Sequence, residues 1–188
     1  KLARLLHDDT RYYLGSRVLE VACGVGAQTT ILARNSPGAE IVSIDISEES
    51  LARAKLHVSQ EGLTNVTFRQ ADVYHLPFWP ETFDHIFVCF LLEHLPDPLL
   101  SLKCMKEVLR PGGTITFIEG DHGSALFYPD SREAHTVIDC LVQREMGGNA
   151  LMGRELWHLM SDAGFMNIAV SPRIVYADGS RPESVEGV

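Results

Sequence analysis

Residues 18 to 34 constrain this chain more than any other stretch. Val18 to Val21 is an apolar run and reads as a buried parallel strand, about residues 17–23. It runs into a glycine pair, Gly24 and Gly26, and a helix is expected over roughly Gln28 to Arg34. A strand, a glycine turn and a helix in that order bring a ligand against open backbone at a helix N-terminus. Glycine holds no side chain in the ligand's way and tolerates positive φ. Two residues set this turn apart from a dinucleotide fingerprint. An acid, Glu20, sits inside the strand, and Thr29 stands where the third glycine would be.

Strands and helices alternate after the turn. Strand two, Glu40 to Ile46, carries Asp45 at its end, and Ser47 with Glu48 and Glu49 opens a helix that runs to about Gln60 and stops at Gly62. Strand three spans about Val66 to Ala71 and ends at Asp72. Strand four, Phe83 to Phe90, is almost wholly apolar, as a central strand should be. Asp97-Pro98 starts a helix, and Arg110 to Gly113 make a turn before strand five, Thr114 to Glu119. Asp130 and Glu133 predict a capping box for a helix to about Met146, stopped by Gly147-Gly148. A helix over about Arg154 to Ala163 and a sixth strand over about Asn167 to Val175 complete the pattern. The expected fold is α/β: a doubly wound, Rossmann-like, mostly parallel sheet with helices on both faces, in one domain over 1–188.

In such a sheet, ligands bind at the carboxyl ends of the strands. Those ends offer Ala22, Gly24, Gly26, Gln28 and Thr29; Asp45 and Ile46; Ala71, Asp72 and Val73; Phe90; and Glu119 with Asp121. Asp45 follows the glycine pair by roughly 20 residues, where a carboxylate accepts both hydroxyls of a ribose. That alone serves a dinucleotide as well as other nucleosides.

The ordered set of motifs narrows the choice. Glu20-x-Ala22-Cys23-Gly24-x-Gly26, Ala71-Asp72-Val73, Phe83-Asp84-His85-Ile86, Leu92 to Pro98, Leu109 to Gly113 and Ala163-Gly164-Phe165 resemble the class I S-adenosylmethionine (SAM)-dependent methyltransferases, over about residues 15–176. Within them the chain resembles the ubiquinone- and menaquinone-biosynthesis group of small-molecule enzymes. The resemblance implies SAM as cofactor. Asp45 would take the ribose, Asp72 the adenine amine, the Val73 backbone a ring nitrogen, and Glu20 would order the glycine loop and the methionine amino group. It also implies a seventh, antiparallel strand, which the sequence after Tyr176 does not display. An open sheet edge there would invite a homodimer. The chain opens on Lys1 rather than Met, so the expectation is that residues precede it.

Composition removes other classes. A net charge of −9 argues against a large nucleic-acid surface. No apolar run approaches the roughly 20 residues of a membrane span. Cys23, Cys89, Cys104 and Cys140 form no Cys-x-x-Cys pair, so no metal site is expected; Cys23 and Cys89, in core strands, read as small buried side chains of a cytoplasmic protein. Strand four ends in Cys89-Phe90-Leu91-Leu92, without the motif that base amino-methylation uses.

What remains is methyl transfer to a small-molecule acceptor. Asp121 and His122 are the candidate catalytic residues, and Tyr12 and Tyr13 read equally as cover over the ligand or as ordinary packing. His94 reads as a packed structural histidine, and Arg154 as a solvated arginine or a contact for an acceptor carboxylate. Two alternatives stand beside this reading. A non-catalytic SAM-binding partner protein would carry the same binding motifs. An NAD-dependent oxidoreductase would share the turn and Asp45 but leaves Glu20, Thr29 and Asp72 unexplained.

Overall fold

The computed structural model describes residue 7, residues 10–144 and residues 148–175. Among these residues five parallel strands form one sheet: β1 (Arg17–Val21), β2 (Glu40–Asp45), β3 (Val66–Gln70), β4 (Phe83–Cys89) and β5 (Leu109–Ile118). Their spatial order is β3-β2-β1-β4-β5. The chain leaves β1 for β2 on one side and returns to β4 on the other. The switch point therefore lies beyond the ends of β1 and β4, where the glycine turn and Phe90 stand.

Among the described residues the strands are accompanied by the α-helices α1 (Thr29–Asn35), α2 (Glu48–Gln60), α3 (Pro98–Val108), α4 (Arg132–Arg144) and α5 (Met152–Asp162). Alternation along the strands sends successive side chains to opposite faces. Leu19, Val21, Ile86 and Val88 pack with Leu102 and Met105 of α3 and Met152 of α5. Val18, Ile41 and Phe87 pack with Leu32 and Ala33 of α1 on the other face. Helices thus cover both faces, as expected. Glu20 shares the second face with Phe87, directly beside Ser43 in register.

Local signals placed most boundaries. The Ser47 side chain accepts from the Ser50 N–H, capping α2, and Asp97 caps α3 by accepting from the Leu100 N–H ahead of Pro98. Gly62 and Gly164 take positive φ just past α2 and α5.

Four expectations need correction. Strand five begins at Leu109: the Arg110–Gly113 turn is a bulge within it, since Leu109 pairs Phe83 and the next pairing joins Thr114 to His85. The cap of α4 is Ser131, whose hydroxyl accepts from the Ala134 N–H, while Asp130 instead pairs with His135. Strand six does not form. An extended segment becomes a strand only by pairing, and among the described residues β5 pairs with β4 alone, leaving Val170, Ile174 and Val175 exposed. Strands three and four also end sooner than expected: β3 stops at Gln70, two residues before Asp72, and β4 at Cys89, one before Phe90. The expected helix end at Met146-Gly147, and the segment after Tyr176, lie outside the described residues.

No helix among the described residues is long and apolar enough to cross a membrane.

Candidate functional site

The glycine turn is held to the sheet by its own backbone. The Cys23 N–H donates to the Ile44 carbonyl at 2.9 Å, and the Gly26 N–H closes the turn on the Cys23 carbonyl, also at 2.9 Å. Ala22, Gly24 and Gly26 take φ of 58°, 52° and 83°. Left-handed backbone at Ala22 costs an L-residue roughly 1–2 kcal/mol, a strain typical of ligand-facing turns. The two glycines do different things. A Cβ on Gly26 would lie 2.9 Å from the Ala54 Cα, so Gly26 lets the turn pack on α2. A Cβ on Gly24 would meet nothing within 4 Å, so Gly24 faces open space.

Glu20 lies beneath this turn and is 2 % exposed. Its Oε2 accepts from the Thr29 hydroxyl at 2.7 Å and the Ser43 hydroxyl at 2.6 Å. Thr29 therefore ties α1 to the strand rather than vacating space, which accounts for the missing third glycine. The second oxygen, Oε1, is buried without a hydrogen-bond partner. Burial, with a smaller push from Asp45, raises the Glu20 carboxyl to about 7. Gln28 precedes α1, and its side-chain oxygen bonds the Nε2 of His7, a fully buried ring packed on Phe87.

Asp45 couples the turn to β2. Its Oδ2 accepts from the Gly24 N–H at 2.8 Å and its Oδ1 from the Ser47 N–H at 2.9 Å. A carboxylate has about four acceptor sites, so both oxygens keep capacity for a ligand. Ile46 beside it is 68 % exposed, a large apolar surface at the mouth of the site. On the next strand the Ala71 N–H donates to the Asp45 carbonyl, Asp72 accepts from the Tyr74 N–H, and Val73 is buried.

The ends of β4 and β5 form the other wall. Phe90 takes a positive φ of 54° and donates its N–H to the Ile118 carbonyl. Glu119 receives the N–H groups of Leu91 and Leu92 on Oε1, while its Oε2 is buried and unpartnered. Burial, together with nearby Glu93, raises its carboxyl to about 7. Asp121 is gripped in a bidentate pair by Arg154, at 2.8 and 2.9 Å. That grip engages both carboxylate oxygens of Asp121, and His122 follows it at the start of the short turn after β5. Arg154 is an exposed arginine that engages Asp121 through Nε and Nη2.

Tyr12 takes the packing alternative, and His94 departs from expectation. Tyr12 stacks on His85 at 4.9 Å and packs against the second core cluster, so it is packing, while Tyr13 is exposed. His94 is exposed rather than packed, because its short turn Leu92–His94 buries Leu92 and Glu93 instead. Burial pushes the Cys23 and Cys89 thiols up, Cys89 to about 12, so neither is a thiolate nucleophile.

A nucleoside donor fits this arrangement. Gly24 borders open space, Asp45 keeps acceptor capacity, and the buried Glu20 Oε1 is without a hydrogen-bond partner.

Residues 14–164 match the model of a family described as "Methyltransferase domain". The chain belongs to that family. An uncharacterised methyltransferase of Schizosaccharomyces pombe is 31 % identical over 157 residues, covering 80 % of this chain and 56 % of its own length. A demethylmenaquinone methyltransferase of Lactococcus lactis is 32 % identical over 122 residues, covering 64 % and 48 %. The chain thus spans about half the length of these curated relatives. A SAM-dependent methyltransferase from Aquifex aeolicus shares the fold, with a TM-score of 0.62 at 24 % identity, covering 81 % of this chain and 73 % of that one.

The two raised carboxyls predict a pH dependence of stability. Glu20 and Glu119 ionise less readily folded than unfolded. Their contribution is full below about pH 4.5 and is lost as pH rises through about 7. Each shift corresponds to at most roughly 3 kcal/mol. Asp84, lowered chiefly by the Arg17 N–H, acts oppositely, below its ordinary range. The ligand-free protein is therefore expected to melt higher at pH 5.5 than at pH 8. Glu20→Gln should roughly halve the difference in scanning calorimetry. An unchanged difference would remove Glu20 from this account.

Proposed function

We propose that this chain transfers the methyl group of SAM to a small-molecule acceptor bound beside the ends of β4 and β5. The observation that carries the reading is the Asp45 carboxylate locked to the Gly24 N–H over open space. In this reading Asp45 takes the ribose, Asp72 and the Val73 backbone take the adenine edge, and Ile46 and Ala71 give the ring apolar contact. The turn at Ala22, Gly24 and Gly26, with Glu20 behind it and Gln28 and Thr29 ahead, holds the methionine portion, and Phe90 closes the site.

The donor supplies an electrophilic methyl on a sulfonium. The protein's own task is alignment, which alone can lower the barrier by roughly 7–11 kcal/mol. His122 then lies where the acceptor's proton leaves.

Similarity to the demethylmenaquinone methyltransferase makes quinol rings the first acceptors to try. The test is a screen with methyl-labelled SAM against demethylmenaquinone, simple phenols, carboxylic acids and amines. Label is expected in one class, with release of S-adenosylhomocysteine. Tight SAM binding with no transfer to any class would favour the non-catalytic binder instead.

The same reading sets the protein in the cytoplasm, in keeping with four free cysteines, and away from nucleic acid, in keeping with its net charge of −9. The β5 edge, unpaired among the described residues, makes a homodimer the assembly to test by sedimentation.

A further inference from the structure

Residues 71–82, all among the described residues, join β3 to β4 without a helix or strand, although β2 and β1 lie between the two in the sheet. An irregular connection this long holds one shape only through ties made outside any ladder. Its second half is tied to β3, β4 and the end of α3. The Arg69 Nη1 donates to the Pro77 carbonyl at 3.0 Å, Phe78 meets Phe83 edge-on at 5.0 Å, and the Thr82 N–H donates to the Val108 carbonyl at 2.9 Å. Its first half carries Asp72 and Val73, and Tyr74 ties it to α3.

Tyr74 works in two directions. Its N–H donates to the Asp72 Oδ1 at 2.9 Å, which fixes one carboxylate oxygen. Its phenol meets Asp97, the cap of α3, twice: the Oη donates to the Asp97 carbonyl at 3.2 Å and accepts from the Asp97 N–H at 3.1 Å. The Cys104 Sγ of α3 donates to the Tyr74 carbonyl at 3.6 Å, and the ring packs against the core cluster that contains Leu102 and Met105. The Asp97 N–H is the group that a capping box would satisfy from the third helical residue. That residue is Leu100, whose side chain holds no acceptor, so the phenol supplies one from 23 residues away. The other Asp72 oxygen has only a longer contact, 3.4 Å, to the Nδ1 of the exposed His75.

We propose that Tyr74 is a positioning residue for the donor's base: anchored on the cap of α3, it holds Asp72 and the Val73 backbone where the adenine edge is read, and so sets the preference for adenine over hypoxanthine. This rests on the methyl-transfer reading, in which Asp72 takes the adenine amine. A carboxylate accepts from an exocyclic amine and repels the exocyclic oxygen that hypoxanthine carries in its place. Both effects weaken as the carboxylate moves or turns. The Asp45 carboxylate, held by the N–H groups of Gly24 and Ser47, keeps its place. Loosening the loop therefore lowers selectivity as well as affinity. A phenol that only capped α3 would change stability and leave the selectivity alone.

Calorimetric titration with S-adenosylhomocysteine and S-inosylhomocysteine tests this on the wild type, Tyr74→Phe and Asp72→Asn. The wild type is expected to prefer the adenine compound by about a hundredfold. Asp72→Asn should bring the ratio to about one, since an amide turns either its oxygen or its nitrogen to the base. Tyr74→Phe removes one oxygen and keeps the packing of the ring. It should lower the ratio to about tenfold and weaken S-adenosylhomocysteine by about threefold to tenfold. An unchanged ratio in Tyr74→Phe overturns the proposal, whatever its melting temperature does. An unchanged ratio in Asp72→Asn overturns it as well, because Asp72 then lacks the role that Tyr74 serves. Amide hydrogen exchange supplies a readout without ligand: the N–H of residue 74 should exchange faster in Tyr74→Phe, and wild-type protection there also overturns the proposal. Failure of the wild type to bind S-adenosylhomocysteine would sink the methyl-transfer reading and this inference with it, and the exchange measurement tells that case from a loop that Tyr74 does not hold.

Discussion

Gly24→Val is expected to abolish SAM binding while leaving a folded protein. Nothing in the protein lies within 4 Å of a Cβ at this position, so the new side chain displaces no neighbour. It occupies the space the donor would fill. A positive φ of 52° adds strain for a β-branched residue, on the order of 1–2 kcal/mol, which lowers the melting temperature without unfolding the chain. The contrast is Gly26→Val. There the Cβ meets the backbone of Ala54 at 2.9 Å, which cannot give way, and α2 must move. Gly26→Val should therefore be lost to unfolding, and Gly24→Val to binding. Calorimetric titration beside a thermal melt separates them. SAM binding retained by Gly24→Val would show that the open face of this turn is not the ligand's.

Asp45→Ala is expected to weaken SAM by tenfold to a hundredfold. A carboxylate accepting from ligand hydroxyls contributes roughly 1.5–3 kcal/mol, which converts to about that factor. The upper end is favoured because Asp45 also fixes the site it serves. Its two oxygens accept the N–H groups of Gly24 and Ser47, so alanine frees the glycine turn and the start of α2 together. Asp45→Asn should fall between the two, since one oxygen still accepts while the amide opposes an N–H. SAM binding at wild-type strength in Asp45→Ala would refute the ribose role.

These residues were legible in the sequence because the chemistry they serve is local. Gly24, Gly26, Asp45 and Asp72 each sit at or just past the end of a strand, and strand ends are marked by where apolar runs stop. Glu20 was legible as an acid out of place in such a run. What did not show was contact made through the fold. Arg154 reaches Asp121 across 33 residues and changes what that acid can do. His7 reaches Gln28 from a segment without a motif. Glu93 stood in plain view as a charge among Leu91, Leu92 and Leu95, yet only the pairing of β4 with β5 brings it to His122. Strand six failed for a related reason: Val170, Ile174 and Val175 carry strand propensity, but pairing, not propensity, makes a strand.

The central claim is that the turn at Gly24 and Gly26, with Asp45 and Glu20, is a SAM site. Titration calorimetry of the wild-type chain against SAM, S-adenosylhomocysteine and NAD tests it most directly. The expected result is saturable binding of the first two, each displacing the other, and no heat from NAD. Binding of NAD with no response to SAM would contradict the account at its root.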